Sequence, residues 1–297
     1  MVISFLVYAL ACGGKNLDTA DIVDTADTNT VTDTIDTTDT TDSNDTTDTS
    51  GASQEDLDHD GYSQQDGDCD DTDPNIHPNA IDYPGDSMDE DCVGGAMSIV
   101  PVQGGLANPS FDAHTNGVPT DWSKLPVSPV ALAWQGNGDT VFTINGDTGE
   151  AFTTHGGDGS LKLWGDYDSN PLSPGESSVY QQFFKNASWS PANKQFWVDA
   201  WVYMHHADPL LATATVHTVF RCFSEYQGSW SLVSESYSDA VNSASPQDTW
   251  FRIHNTVTCD ANSTIVQVLF VFGQQDTNTD HGVLYIDDVQ FGEIVTQ

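Results

Sequence analysis

Asp56, Asp58 and Asp60 stand at alternate positions and Gly61 follows them, giving the spacing D-x-D-x-D-G. Carboxylates in that pattern turn towards one centre, and the glycine permits the sharp bend that closes the loop. The backbone carbonyl of Tyr62 would be the next ligand. The surrounding stretch, 54–95, carries 14 acidic residues, two cysteines and few aliphatic side chains. A segment so short and so charged lacks an adequate hydrophobic core. It folds only when something neutralises its carboxylates. Its only imidazoles are His59 and His77, and both cysteines are better used in a bridge. Oxygen-rich sites of this kind suit Ca2+ rather than copper, so calcium is the expected cofactor.

An EF-hand would place a bidentate Glu at the twelfth loop position, which here is Gly67. The pieces DLDHDGY, DCDDTDPNIHPNA and DSMDEDC instead resemble the Asp-rich metal-binding repeat common in secreted and surface proteins of myxobacteria. That repeat is similar to the calcium loops of thrombospondin type 3 repeats. Spacing, Gly, Pro and both Cys agree with it. The resemblance implies a first site of Asp56, Asp58, Asp60 and Asp66 or Asp68. It implies a second drawn from Asp71, Asp73, Asp86, Asp89 and Asp91.

Elements able to hold such sites lie further along. Apolar alternation recurs in VYQQFF, FWVDAWVYM, TATVHTVFRCF, TWFRIHNTV, TIVQVLFVF and VLYIDDVQF, separated by Gly, Pro, Asn and Asp clusters. No stretch keeps a helical period. The expected fold class is all-β: a C-terminal two-sheet jelly-roll sandwich over 100–297, preceded by a small Asp-rich calcium-loop unit and a disordered Asp/Thr linker. In the 196–205 strand, Phe196, Val198, Ala200, Val202 and Met204 share the core face. Trp197, Asp199, Trp201, Tyr203 and His205 share the other. Rings mixed with polar groups suit a sugar, whose apolar face stacks while carboxylates accept hydroxyl protons. Trp197, Asp199, Trp201 and Tyr203 are therefore the expected ligand-binding residues. His205 and His206, adjacent in a strand, would point to opposite faces and could not chelate together.

GGLANPSFD, GGDGSLKL, VYQQ, FWVDAWVY, TWFRI and LYIDDVQF occur in the order found in galactose-binding-like jelly rolls of carbohydrate-binding modules, which the chain resembles over 104–293. In such modules a structural calcium ties the first strand to the last. The resemblance implies ligands from Asp112, the backbone near Gly157 to Ser160, and Asp287 or Asp288.

Charge and cysteines set the context. Seven Lys+Arg against 45 Asp+Glu give a net charge of −38, which excludes binding to nucleic-acid phosphates or charge-driven docking on an anionic membrane. The five cysteines are Cys12, Cys69, Cys92, Cys222 and Cys259. Cys12 follows the apolar run VISFLVYALA, too short for a bilayer that needs about 20 residues in a helix. Small residues before a Cys resemble the lipobox of bacterial lipoproteins, although no Lys or Arg precedes the run. That resemblance implies a signal peptide over 1–11 and a lipidated Cys12. The remaining four cysteines form two disulfides in an exported protein, expected as Cys69–Cys92 and Cys222–Cys259, each within one unit. Residues 16–53 repeat Asp and Thr, too polar and self-repelling to fold.

No G-x-S-x-G, H-E-x-x-H or phosphate-binding glycine loop is present, so no catalytic residue is assigned and an enzyme is not expected. The expected function is a lipid-anchored outer-membrane or cell-surface protein that binds calcium and a neutral polysaccharide or glycoconjugate. The alternative is a calcium-stiffened structural or adhesive protein with a protein partner.

Overall fold

Residues 54–124, 131–142, 148–164, 175–275 and 279–295 are described by a computed structural model. The expected signal, lipidation site and linker, residues 1–53, lie outside them. Among the described residues fifteen strands follow one another: β1 (Ser98–Val100), β2 (His114–Thr115), β3 (Val118–Pro119), β4 (Ser123–Lys124), β5 (Ala131–Gly136), β6 (Thr140–Phe142), β7 (Thr148–Ala151), β8 (Gly159–Trp164), β9 (Gly175–Phe184), β10 (Gln195–Tyr203), β11 (Thr215–Tyr226), β12 (Ser229–Tyr237), β13 (Trp250–Thr258), β14 (Ile265–Gln274) and β15 (Val283–Val295). Six build one sheet in the order β13-β10-β15-β8-β5, with β1 also on β15; five build the other, β12-β11-β14-β9-β4. The fold is the all-β sandwich of two sheets.

Period-two alternation explains why these stretches pair. Phe196, Val198, Ala200, Val202 and Met204 of β10 and its exit are fully buried between the sheets, opposite Phe220, Val268, Phe270 and Phe272. Each of these Val, Phe and Met side chains contributes on the order of 1.5–3 kcal/mol on leaving water. β14 is buried along almost its whole length because it is central: Leu269 and Val271 form a second small cluster with Val219 on the sheet's other face. β15 carries a bulge. Its register against β10 shifts between Asp199 and Trp201, and Asp288 takes φ 44° there. The extra residue lets Asp287 and Asp288 face different surroundings.

Cys222 and Cys259 are bridged, as are Cys69 and Cys92. Both expected pairs are present. Changing Cys222 and Cys259 together to Ala should lower the unfolding free energy by about 2–4 kcal/mol, because that bridge closes a long loop in the unfolded chain. Urea denaturation of the oxidised protein beside the double variant measures it, and a difference under ~1 kcal/mol would contradict it.

The acidic segment folds as a chain of turns with one short 3-10 turn, Gln64–Asp66, and no strand of its own before β1. Carboxylates accept from nearby backbone N–H groups: Asp56 from His59 and Gly61, Asp60 from Tyr62, Asp68 from Asp70. Gly61 sits at φ 102°, a conformation that side-chain-bearing residues rarely adopt. Tyr62 stacks flat on His77, ring centroids 5.0 Å apart. Gly51–Gln297 form one compact unit, so the segment rests against the sandwich.

Candidate functional site

Three groups of carboxylates converge in the acidic segment, each with ligand atoms within 4.8 Å of one another: Asp56, Asp58 and Asp60; Asp58, Asp68 and Asp71; Asp82, Asp89 and Asp91. Asp58 belongs to two groups, so five carboxylates crowd together. The crowding is reflected in Asp58, whose acidity is weakened by desolvation and by Asp60, Asp68 and Asp56. Asp71 and Asp68 are 1% and 5% exposed, and Asp82 is 8%. One oxygen on each of Asp58, Asp60, Asp68, Asp71 and Asp82 is buried without a hydrogen-bond donor. A buried carboxylate oxygen with no donor is costly, and a hard cation is the partner that relieves it. The residues present therefore fit calcium. Asp66, Asp73 and Asp86, also expected as ligands, stand outside these groups. Asp66 caps Ser63, Asp73 accepts from Asn75, and Asp86 accepts from Met88.

Asp82 was not among the expected ligands. Its neighbour Glu90 is 6% exposed, and burial with a hydrogen bond to Asp82 pushes Glu90 up to about 7. Two carboxyls therefore share one small space beside the third group.

At the sandwich edge, Asp112, Asp287 and Asp288 meet the 153–159 loop. Asp112 Oδ1 accepts from the backbone N–H of Asp158 and Gly159, and Ser110 Oγ donates to Oδ2 at 2.9 Å. A Cβ on Gly157 would run into the Asp112 carboxylate. Asp287, fully buried, accepts from His155 N at 3.0 Å, Gly156 N at 3.2 Å and Asp288 N at 2.8 Å. Burial still pushes it up to about 7. Asp288 instead reaches the His155 ring, 2.7 Å away. Asp287 and Asp288 tie the loop to β15, and Asp112 ties it to the segment before β2.

The expected sugar platform needs correcting. Trp197 is 2% exposed and Asp199 is fully buried, so neither presents a surface to a ligand. Asp199 accepts from Trp197 Nε1 at 2.7 Å and from Arg252 at 2.8 Å. Tyr83 of the acidic segment lies over the same face, with the Arg252 guanidinium 3.9 Å from its ring centre and edge contacts to Trp197 and His254. His155 stacks on Trp201, centroids 4.1 Å apart. Tyr203 packs with Phe152, Trp250 and Tyr285. Tyr83 covers one end of the strip and residues 152–155 pack on the other, where Trp201 and Tyr203 stay partly exposed.

An open concavity lies beside it. A cleft of about 440 Å³ runs between the edge strands β13 and β12, lined by Ile81 and Tyr83, by Tyr237 to Asp239, and by Arg252 to Thr256. That size falls in the ordinary range for small-ligand sites. Tyr237 is 48% exposed, and its hydroxyl reaches Glu235 Oε1 at 3.1 Å. On the floor, Asn255 accepts from Ser236 Oγ and donates to Thr218 O, linking the two sheet edges. Burial lowers the proton affinity of His254, which stacks on Trp197. The cleft thus offers two tyrosine rings beside hydroxyl, imidazole, guanidinium and carboxylate groups.

No protein-family model matches the chain, and no curated protein does. Among solved structures it is similar to the CBM22-1 xylan-binding domain of Paenibacillus barcinonensis Xyn10C, at 12% identity, covering 62% of this chain and 90% of that one, TM-score 0.35. A Stig cyclase, Fisc from Fischerella sp. TAU, matches at 9% identity over 68% and 99%, TM-score 0.41. The enzymatically active domain of bacteriophage CBA120 tailspike protein 4 matches at 14% identity over 62% of this chain, TM-score 0.34. The match spans only 21% of that tailspike domain.

Proposed function

We propose that the chain is a calcium-dependent, saccharide-binding module whose ligand lies in the cleft between β12 and β13. One observation carries the reading: Tyr83, which walls the cleft, is the next residue after Asp82, whose buried oxygen lacks a donor in the third carboxylate group. Calcium held by Asp82, Asp89 and Asp91 would neutralise their charge. Tyr83 and Ile81 are then held against the sandwich. Tyr83 and Tyr237 supply apolar ring faces, and Ser238, Asp239 and His254 supply groups for hydroxyls. With 21 acidic and six basic residues over 96–297, the ligand is neutral, because a polyanion would be repelled.

The test is a glycan array, xylo-oligosaccharides included, run with calcium and with chelator. Binding with calcium only is expected. Tyr237→Ala should weaken it about tenfold, the loss of one stacking ring, while changing stability by under ~0.5 kcal/mol. An array blank in both conditions would remove the saccharide reading. It would favour the adhesive alternative, which has its own support in an exposed apolar strip of Phe184, Trp230 and Leu232.

The same reading makes the protein exported and held at the membrane by a lipidated Cys12. Two disulfides support an oxidising compartment. Mass spectrometry of detergent-extracted protein finds acyl chains on Cys12 if it holds.

A further inference from the structure

The strongest cluster outside these sites is at the end of β10. Tyr203 pairs with Trp250 across β10 and β13, and continuing that register past both strand ends sets Asp248 opposite His205. The chain leaves the strand after Tyr203 and turns, with Asp208 N donating to His205 O at 3.1 Å. Strand alternation therefore stops before the two histidines. Their rings lie on the same side, centroids 4.5 Å apart, contrary to the expectation that they point to opposite faces. Asp248 N donates to Met204 O at 2.9 Å, which fixes the carboxylate to the same turn. Donor atoms of His205, His206 and Asp248 all fall within 4.8 Å of one another.

We propose that His205, His206 and Asp248 form a site for a borderline divalent ion, with Zn2+ the type. Two imidazoles and one carboxylate are a donor set that zinc favours over calcium, which prefers oxygen. His205 is 3% exposed and comes pre-placed; its Nδ1 accepts the Ala207 N–H at 3.0 Å and so carries no proton. His206 and Asp248 are about half exposed, with Nδ1 and Oδ1 2.9 Å apart, so both can rotate to close on an ion. A tetrahedral ion with Zn–N bonds of about 2.0–2.1 Å sets its donors roughly 3.3 Å apart, so the His206 and Asp248 atoms, now 2.9 Å apart, separate slightly around it. The adjustment falls on the two exposed side chains, and any ligation through His205 Nδ1 exchanges one backbone hydrogen bond. Glu150 adds a second negative charge nearby, which favours a dication. Three protein donors leave the fourth position of a tetrahedral ion to water.

The experiment titrates the full chain, saturated with calcium, with Zn2+ alone by calorimetry, and follows the imidazole signals by NMR. One Zn2+ per chain is expected, undiminished by further calcium, with His205 and His206 signals shifting together. His206→Ala should weaken it at least tenfold and Asp248→Asn several-fold. Both residues are exposed, and amide spectra confirm that the variants remain folded. Zinc that calcium displaces, zinc bound as tightly by His206→Ala, or no binding at millimolar zinc would each overturn the site.

Discussion

Arg252→Ala should lower the unfolding free energy by about 3–5 kcal/mol. The Asp199 side chain is 1% exposed and Arg252 is the cation paired with it, at 2.8 Å. Removing the guanidinium strands that carboxylate in a dry site with only the Trp197 N–H as partner. It also removes the group on which Tyr83 stacks, so the acidic segment loosens in the same step. The pH dependence has a definite sign. Burial already raises Asp199 above its ordinary 3.8, against the pull of Trp197 and Arg252. Without Arg252 it rises further, and a carboxyl whose folded affinity for protons is raised loses stability as pH climbs from the unfolded value towards the folded one. The deficit is therefore smaller near pH 4 than at neutral pH. Urea titrations at both pH values measure it. A deficit independent of pH would mean that lost packing, not the stranded charge, is responsible. Changing Asp199→Leu and Arg252→Met together should recover most of the loss, because an apolar pair leaves no charge behind.

Chelating calcium should unfold residues 54–95 and leave the sandwich standing. Five carboxylates meet around Asp58, and little apolar surface offsets the entropy of ordering the turns. The Cys69–Cys92 bridge restricts the unfolded segment but leaves the repulsion in place. An ion that binds only the folded segment stabilises it by about 2.7 kcal/mol at a hundredfold excess over Kd, enough to decide whether so small a unit is ordered. In the full chain, EGTA should collapse the amide dispersion of 54–95, while signals from β10, β11 and β14 persist. Trp197, now covered by Tyr83, becomes accessible to a fluorescence quencher. Asp71→Ala should lower calcium affinity and loosen the segment at intermediate calcium. Dispersed signals for 54–95 that ignore both EGTA and calcium would sink the idea.

The sandwich was legible because alternation is a local property. FWVDAWVYM names its inward residues without knowledge of any partner, whereas TIVQVLFVF, buried on both faces, names only a strand. β12 was not recognised: in SWSLVSESY on an outer edge, serines replace the apolar partner set. The outward face of β10 was read correctly as a face, but Trp197 and Asp199 on it are buried rather than open. Whether a face is free depends on what folds over it, and Tyr83 arrives from more than a hundred residues away. Arg252 and His254 also obey alternation in TWFRIHNTV, but only the pairing of Asp199 with His254 and of Trp201 with Arg252 shows what they meet. Asp56, Asp58 and Asp60 were legible from spacing. Asp82 was not, since its spacing to Asp89 matches no loop pattern and the disulfide-closed turns bring it there. The histidine pair failed for a nameable reason: alternation was carried past the strand's last residue.

The Cys69–Cys92 bridge also determines how the chain bears tension. A pull applied ahead of residue 54 runs along the backbone to Cys69, crosses the sulfurs to Cys92, and reaches β1 within a few residues. Residues 70–91 are bypassed. Asp71, Asp82, Asp89, Tyr83 and Asp91 lie inside that slack loop, whereas Asp56, Asp58, Asp60 and Asp68 lie on the loaded path. Under force the first group of carboxylates strains before the third, and the wall of the cleft keeps its shape while the lead-in extends. Reducing the bridge reroutes the load through Tyr83. The contact between Tyr83 and Arg252 then bears part of that load.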